Sequence, residues 1–154
     1  MQKIILLLAT GFGIGKLPLA PGTFGTLLGV LLYMAIASLS SLHYSVTVIG
    51  LLFISVWSSS EAEKMLATKD PKEVVIDEIL GFVITMAFLP FNFLTIFVGF
   101  LLFRFFDVVK IFPCRWLERN CKAGWGIVLD DVVAGIYAHI ILRIVILFLD
   151  YEPY

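Results

Sequence analysis

The chain has 154 residues, a formal net charge of −1, and a composition that is 60% hydrophobic and only 15% charged. Soluble domains are about half apolar and about a quarter charged, so this composition, with a mean hydropathy of +1.02, excludes an ordinary water-soluble enzyme. The near-zero net charge provides no overall field to attract nucleic acid. We therefore predict an all-α protein, a polytopic integral membrane helical bundle in which residues 1–154 form a single domain.

Five apolar runs predict four to five spanning helices, because a helix needs about 20 mostly apolar residues to cross the bilayer core. The earlier run at 4–10 is too short to cross, and we expect it to pack against the bundle. The candidate spans cover residues 24–39, 43–59, 79–89 with an extension back through 74–76, 91–106 and 127–149.

A stretch rich in glycine and proline, TGFGIGKLPLAPGTFGTL at 10–27, leads into the first span. Gly and Pro at this density predict a fixed, non-helical loop. One interpretation is a phosphate site, in which backbone N–H groups and the following helix N-terminus approach an anion, Lys16 adds a cation and Thr23 a hydroxyl. The other interpretation is a tight turn with close helix packing. The Walker pattern G-x4-G-K-[ST] is absent.

The connections between the predicted spans differ in charge. Residues 38–45 and 90–93 carry no Lys, Arg, Asp or Glu, whereas 61–73 and 104–122 are charged. Alternating spans place the charged connections on one side, which should be cytoplasmic because cationic loops stay there, and the C-terminal DYEPY on the other. Nine of the eleven Lys and Arg residues belong to the charged side: Lys16, Lys64, Lys69, Lys72, Arg104, Lys110, Arg115, Arg119 and Lys122.

Five carboxylates are predicted to meet at the cytoplasmic ends of three spans. Asp130 and Asp131 interrupt the apolar sequence GIVLDDVVAG, Asp77 and Glu78 begin another span, and Asp107 lies near the end of a third. Ionised groups inside a bilayer are costly and usually face a bundle interior or a wet cavity. A divalent cation would neutralise five such groups, and hard oxygen ligands favour Mg²⁺, with Mn²⁺ as the alternative.

Cationic residues accompany these acids. Arg104, Asp107 and Lys110 are spaced at i, i+3 and i+6, so we expect them to line one helix face. Arg104 would bind phosphate oxygens with two donors, and Lys110 would act as a point charge. A purely structural interpretation makes Arg104 and Asp107 an ion pair and Asp77 a helix cap or a partner of the helix dipole. Five acids in three separate apolar contexts favour a functional site.

A glycine follows two of the acidic positions by one helical turn. Gly81 comes four residues after Asp77, and Gly135 comes four residues after Asp131. Small residues let membrane helices approach closely. We therefore expect these glycines to hold the carboxylates near one another.

Four segments, GFGIGKLPLAPGTFGTL, DEILG, RFFDVVK and GIVLDDVVAG, together resemble the phosphatidylglycerophosphatase A family. The resemblance covers most of the chain, with the motifs in the family's order. The chain departs from the pattern at Ile111, where the family often has Pro, and at Val128, where Met is frequent. Neither position carries an ionisable side chain.

This resemblance implies a Mg²⁺-dependent phosphatase, multi-pass in the bacterial inner membrane with its active site on the cytoplasmic side. Its substrate would be a lipid within the bilayer, phosphatidylglycerophosphate, which loses its phosphate to give phosphatidylglycerol. We expect the five acids to be the catalytic and metal-binding groups, with Glu78 as ligand or general base. The residues expected to bind substrate phosphate are Arg104, Lys110, Lys16, Gly22 and Thr23.

Several points stay open at this stage. Attack by a metal-activated water and an aspartyl-phosphate intermediate both suit these residues, and the sequence leaves open whether the chain forms a homo-oligomer. A cation or proton-coupled transporter would use the same carboxylates, but such transporters usually show paired repeats, and Arg104 and Lys110 would lack a purpose. The D-x2-D-G-x2-A-R signature of a CDP-alcohol phosphotransferase is absent. A purely structural subunit would not explain five inward acids.

Overall fold

The computed structural model describes residues 2–121 and 124–149, and within these ranges every regular element is helical. Lys122, the DYEPY terminus and the side chains of Arg115 and Arg119, all used in the predicted topology, lie outside what is described. The helices are α1 (Gln2–Ala9), a 3-10 turn (Ile14–Lys16), α2 (Pro21–Ile36), α3 (Ser41–Leu66), α4 (Ile76–Thr85), α5 (Phe93–Val109), α6 (Cys114–Asn120) and α7 (Gly124–Leu149).

Local sequence signals set several helix ends. Pro21 occupies the first turn of α2, where its missing N–H and fixed φ are well tolerated. The helix therefore begins three residues before the predicted start at 24, and Gly22 and Thr23 are helical, so the prediction of a loop over 10–27 is wrong for its last third. Ser40 and Asn92 cap α3 and α5 by accepting a backbone hydrogen bond from the first turn.

The lengths of α3 and α4 differ from those predicted. Helix α3 continues to Leu66, so the beginning of the predicted charged connection is helical. Helix α4 has only 10 residues, about 15 Å of rise, which is too short to cross the bilayer, so it is a buried helix and not a span. Within the described residues, two helices, Ser41–Leu66 and Gly124–Phe148, are long and apolar enough to cross a membrane.

Helix α4 lies at the centre of the bundle, in contact with α2, α3, α5 and α7. Its Phe82 packs edge-to-face on Phe103 of α5, with ring centroids 6.5 Å apart, and both side chains are fully buried. The hydroxyl of Tyr44 on α3 donates to the carbonyl of Val83 at 2.6 Å. These contacts hold α4 from several sides and therefore hold its first turn, which carries Asp77 and Glu78, in one place.

The outer surface of the bundle is strongly apolar. Leu31 is 62% exposed, Phe53 62%, Phe93 82% and Phe148 76%. A soluble monomer rarely exposes contiguous apolar surface on this scale, whereas hydrocarbon solvates it well. The outward face of the described helices therefore supports a protein that lies in a membrane.

Candidate active site

A cavity of about 310 Å³ lies between the N-terminus of α2, the first turn of α4, the end of α5 and the first half of α7. Of the ten site residues predicted from the sequence, Lys16 and Thr23 do not line it, and the Lys16 side chain is exposed. The other eight form its wall: Gly22, Asp77, Glu78, Arg104, Asp107, Lys110, Asp130 and Asp131.

Three of the carboxylates form a compact group, and one oxygen of each lacks a hydrogen-bond partner. Asp77, Glu78 and Asp131 each offer an oxygen within 4.8 Å of the other two. Asp77 Oδ1, Glu78 Oε2 and Asp131 Oδ2 are buried and accept no hydrogen bond from any described residue. A buried polar atom left unpaired costs about 1–3 kcal/mol, and a charged one costs more. The arrangement therefore requires a cation or protons, and its donors are all hard oxygens of the kind that Mg²⁺ prefers.

The surroundings of α4 disfavour negative charge on its two acids. Burial, followed by the charge of Glu78, raises the pKa of Asp77 well above its usual range. Burial, followed by the charge of Asp131, raises the pKa of Glu78 to about 8. A divalent cation among these oxygens would stabilise the ionised forms and oppose both shifts.

The other two predicted acids are paired with Lys110 and Arg104, two of the cations of the wall. Lys110 Nζ lies 2.8 Å from Asp130 Oδ2, and Arg104 Nη1 lies 2.5 Å from Asp107 Oδ2. Lys110 ends α5 in a left-handed conformation, which turns the chain toward α7. The five predicted acids thus divide into a paired set and an unpaired set, a distinction that their spacing in the sequence does not reveal.

Gly22 allows α2 to approach the acids and Arg104. A Cβ added there would overlap Glu78 Oε1 and lie 3.0 Å from Arg104 Nη1. One turn later, the Thr26 hydroxyl accepts a weak hydrogen bond from the same guanidinium at 3.5 Å. Because the first turn of α2 borders the cavity, the partial positive charge of this helix N-terminus faces any anion bound there.

The glycines earlier in the same stretch have a packing role. A Cβ added to Gly15 would overlap the carbonyl of Glu73, and one added to Gly11 would lie 2.9 Å from Val75 Cγ2. The Val75 N–H also donates a hydrogen bond to the carbonyl of Ala9, the last residue of α1, at 2.9 Å. The tight-turn interpretation thus describes this part of the stretch, which holds the chain immediately before α4 in place.

These contacts test the two purely structural interpretations, one for Asp77 and one for the pair of Arg104 with Asp107. The N-cap of α4 is Val75, with no side-chain capping bond, so Asp77 is not the cap residue. Asp77 does lie in the first turn of α4, where the helix dipole favours a negative charge. Arg104 and Asp107 do form an ion pair, but it lies on the cavity wall. Neither interpretation accounts for the unpaired oxygens.

Sequence reasoning missed the connection between α3 and α4, where Asp70, Pro71 and Lys72 also line the cavity. The Asp70 N–H donates to Glu63 Oε1 at 3.1 Å, which ties this connection to the end of α3. The available signal was a charged pair around a proline a few residues before Asp77. On its own that pattern is typical of any exposed connection.

Comparisons with known proteins agree with the motifs. A family model described as phosphatidylglycerophosphatase A matches residues 7–146. Phosphatidylglycerophosphatase A of Escherichia coli is 37% identical over 131 residues, covering 84% of this chain and 76% of that protein. The protein of the same name in Haemophilus influenzae is 36% identical over 140 residues, covering 90% and 86%.

A third relative carries a different name. A putative phosphatidylinositol-3-phosphatase of Bacteroides thetaiotaomicron is 35% identical over 147 residues, covering 90% of this chain and 91% of that protein. No solved structure matches the chain. The family model, the two relatives that share its name and the order of the motifs agree: the chain belongs to the phosphatidylglycerophosphatase A family, a family of phosphatases.

Proposed function

We propose that the chain is a Mg²⁺-dependent lipid phosphatase that hydrolyses phosphatidylglycerophosphate to phosphatidylglycerol and inorganic phosphate. One observation carries the proposal: three converging carboxylates, each with one buried oxygen that has no hydrogen-bond partner, share a cavity with Arg104 and Lys110. The carboxylates suit a hard divalent cation, and the two cationic side chains suit a phosphate dianion. The names of the family and of its relatives support this lipid as the substrate.

Asp77, Glu78 and Asp131 would hold the metal, because their oxygens already converge and lack other partners. Mg²⁺ is proposed, with Mn²⁺ as the alternative. When bound, such an ion neutralises phosphoryl oxygens and lowers the pKa of a bound water. Asp107 and Asp130, which the sequence predicts as further ligands, remain predictions in that role; their contacts support a part in holding Arg104 and Lys110 at the wall.

The chain's own residues can serve each part of the reaction. Arg104 can donate to two phosphoryl oxygens, and Lys110 adds a point charge that reduces repulsion of the incoming nucleophile. A water oxygen bonds to phosphorus, the bond from phosphorus to the glycerol oxygen breaks, and that oxygen takes up a proton. The alternative role for Glu78, in place of metal binding, is the general base that accepts the proton lost by the attacking water. An aspartyl-phosphate intermediate is the alternative to direct attack by water.

We further propose that residues 1–154 act as one membrane-embedded domain in the bacterial inner membrane, with four spans formed by α2, α3, α5 and α7. The apolar outer surface of the described helices and the cationic connections support this topology. The cavity would then face the cytoplasm at head-group depth, where a lipid presents its phosphate while its chains stay among the helices. No contact in the described residues favours the transporter alternative over this one.

Phosphate release from purified protein in detergent tests the proposal. The substrates are phosphatidylglycerophosphate, phosphatidic acid and phosphatidylinositol 3-phosphate, each assayed with Mg²⁺, with EDTA, and with Mg²⁺ restored in excess over EDTA. We expect the first lipid to be hydrolysed fastest, with EDTA stopping release and Mg²⁺ restoring it. Phosphate release that is insensitive to EDTA would contradict the proposed metal dependence. Faster release from phosphatidylinositol 3-phosphate would contradict the proposed substrate.

A further inference from the structure

A second cavity, of about 240 Å³, lies between α5 and α7 and exposes no polar surface. Its lining residues are Phe106, Ile111, Tyr137, Ile140 and Ile141, which we call the apolar groove. We propose that this groove binds an acyl chain of the lipid phosphate whose head group lies in the acidic cavity. The inference rests on the proposed function and adds to it the part of the enzyme that recognises the lipid tail.

The groove adjoins the acidic cavity at the end of α5, where neighbouring residues line one or the other. Phe106 lines the groove while its neighbour Asp107 lines the cavity, and Ile111 lines the groove while its neighbour Lys110 lines the cavity. One short segment therefore presents polar groups to one side and apolar groups to the other. A molecule that touches both sides must itself be amphiphilic, with an anionic end and an apolar end.

The spacing along α7 agrees with such a molecule. Asp130 lines the cavity, and Tyr137 and Ile141 line the groove. Seven residues, close to two turns, separate Asp130 from Tyr137, and four more lead to Ile141. Measured from Asp130 along the helix axis, Tyr137 is therefore about 10 Å away and Ile141 about 16 Å away. In phosphatidylglycerophosphate the head-group glycerol, a phosphodiester and the ester-linked backbone glycerol lie between the terminal phosphate and the hydrocarbon chains, and together they fill an interval of this kind.

Three contacts hold the groove in shape. The Tyr137 hydroxyl donates to the carbonyl of Phe112 at 2.9 Å, and the Tyr137 ring packs against Phe106 with centroids 5.8 Å apart. The ion pair of Lys110 with Asp130 fixes the other end of the same connection. Because the tyrosine hydroxyl is already satisfied, only its apolar ring remains available to a ligand.

The groove is open toward the outside of the bundle. Ile111 is 40% exposed, Ile140 48% and Ile141 39%, so a chain can enter sideways from the bilayer while the phosphate enters the acidic cavity. An apolar concavity without polar groups selects for hydrocarbon and not for a head group. The occupant to which these features point is an acyl chain of the substrate.

The test fills the groove with Ile141→Trp and, as a second variant at a more exposed position, Ile140→Trp. The control is Ile49→Trp on α3, which is 55% exposed and lies outside both cavities. KM and kcat are measured for dioleoyl and dibutanoyl phosphatidylglycerophosphate at a fixed mole fraction in one detergent. We expect both groove variants to raise KM for the dioleoyl lipid about tenfold, the effect of removing one or two methylenes from apolar contact. The KM of the groove variants for the dibutanoyl lipid, and the KM of the control variant for either lipid, should change less than about twofold.

Each other outcome is decisive. Equal losses on both lipids would show that tryptophan distorts the acidic cavity, and unchanged KM in both groove variants would show that the groove holds only bulk lipid; either result overturns the inference. Wild-type protein that hydrolyses both lipids with the same kcat/KM also overturns it, while the proposed function survives. If the wild type hydrolyses neither lipid, the proposed function itself fails.

Discussion

Gly135 of α7 crosses α4 at Gly81, so closely that a Cβ added to Gly135 would overlap the Gly81 carbonyl oxygen. The hydroxyl of Thr85 donates to Gly81 at 2.9 Å and lies 3.4 Å from the Gly135 carbonyl. Each glycine follows an aspartate of the unpaired set, Asp77 or Asp131, by four residues. The backbone contact that small residues permit therefore sets the separation of these two carboxylates.

Adding a methyl group at this crossing should separate the two helices. We expect Gly135→Ala to lower the free energy of unfolding by about 1–3 kcal/mol, the usual cost of overpacking, and to lower phosphatase activity with it. Unfolding in detergent, followed by circular dichroism, measures the first quantity. The matched control is Gly50→Ala in α3, where nothing lies within 4 Å of the added Cβ. In that helix interior alanine should stabilise by about 0.5–1 kcal/mol, so equal losses in both variants would contradict the importance of the crossing.

Asp131→Asn should abolish turnover while the fold survives. The substitution keeps the shape of the side chain but removes the charge from a buried group whose Oδ2 has no partner. We expect phosphate release to fall at least about 100-fold, the scale of losing one electrostatic group from an active site. The control is Glu61→Gln, which removes a carboxylate that pairs with Lys64 on the surface. Full activity in Asp131→Asn would remove this residue from the site.

Metal binding should be visible without catalysis. A ligand that binds only the folded state at about 100 times its Kd stabilises it by about 2.7 kcal/mol. We expect Mg²⁺ to raise the unfolding temperature of wild-type protein prepared in EDTA, and Mn²⁺ to do the same. The shift should be much smaller in Asp131→Asn and Asp77→Asn, because each loses one of the converging oxygens. Equal shifts in wild type and both variants would place the bound ion elsewhere.

The two lysines predicted from the sequence to bind phosphate should differ in effect. Lys110 lines the cavity and pairs with Asp130, whereas Lys16 is exposed and lies outside the lining. We expect Lys110→Ala to lower kcat/KM at least about 100-fold, and Lys16→Ala to lower it by a much smaller factor. Steady-state kinetics on the same lipid compare them directly. A larger loss at Lys16 would favour the original prediction for the glycine-rich stretch over the placement seen in the structure.

Gly22 should tolerate no side chain without loss of activity. The Cβ of Gly22→Ala would displace Glu78 Oε1 and crowd Arg104 Nη1, and both are ends of flexible side chains that can move aside. The expected result is therefore a lower kcat, by roughly 10-fold or more because misplacement of catalytic groups by about 1 Å is costly, with a nearly unchanged unfolding temperature. Gly50→Ala again serves as the control. A variant that keeps full activity would show that the close approach of α2 is incidental.

Local features of the sequence predict much of the fold. The five apolar runs predicted α2, α3, α4, α5 and α7, whereas α6 lies in a charged connection and was not predicted. Ser40 and Asn92 supply caps that a sequence pattern can identify. The glycines one turn after Asp77 and Asp131 correctly predicted a close helix crossing. These properties depend on residues that are neighbours along the chain, and helical periodicity converts such spacing into a shared face.

Other features depend on distances between helices, which no local pattern contains. The length of α4 is decided by what surrounds it, and the cavity residues Asp70 and Lys72 are recruited from a connection that looks ordinary in the sequence. The pair of Arg104 with Asp107 lies within α5 and agrees with its i, i+3 spacing in the sequence, whereas the pair of Lys110 with Asp130 follows from how closely α5 and α7 pack. The sequence alone thus determined the apolar helices, the family and the acidic residues of the site, whereas the tertiary structure decided which of their oxygens meet a cation and which have no hydrogen-bond partner. The physical reason is that a hydrogen bond or a close ion pair needs its two atoms within a few ångströms of each other, and these distances are set by the close backbone approach at Gly22, Gly81 and Gly135.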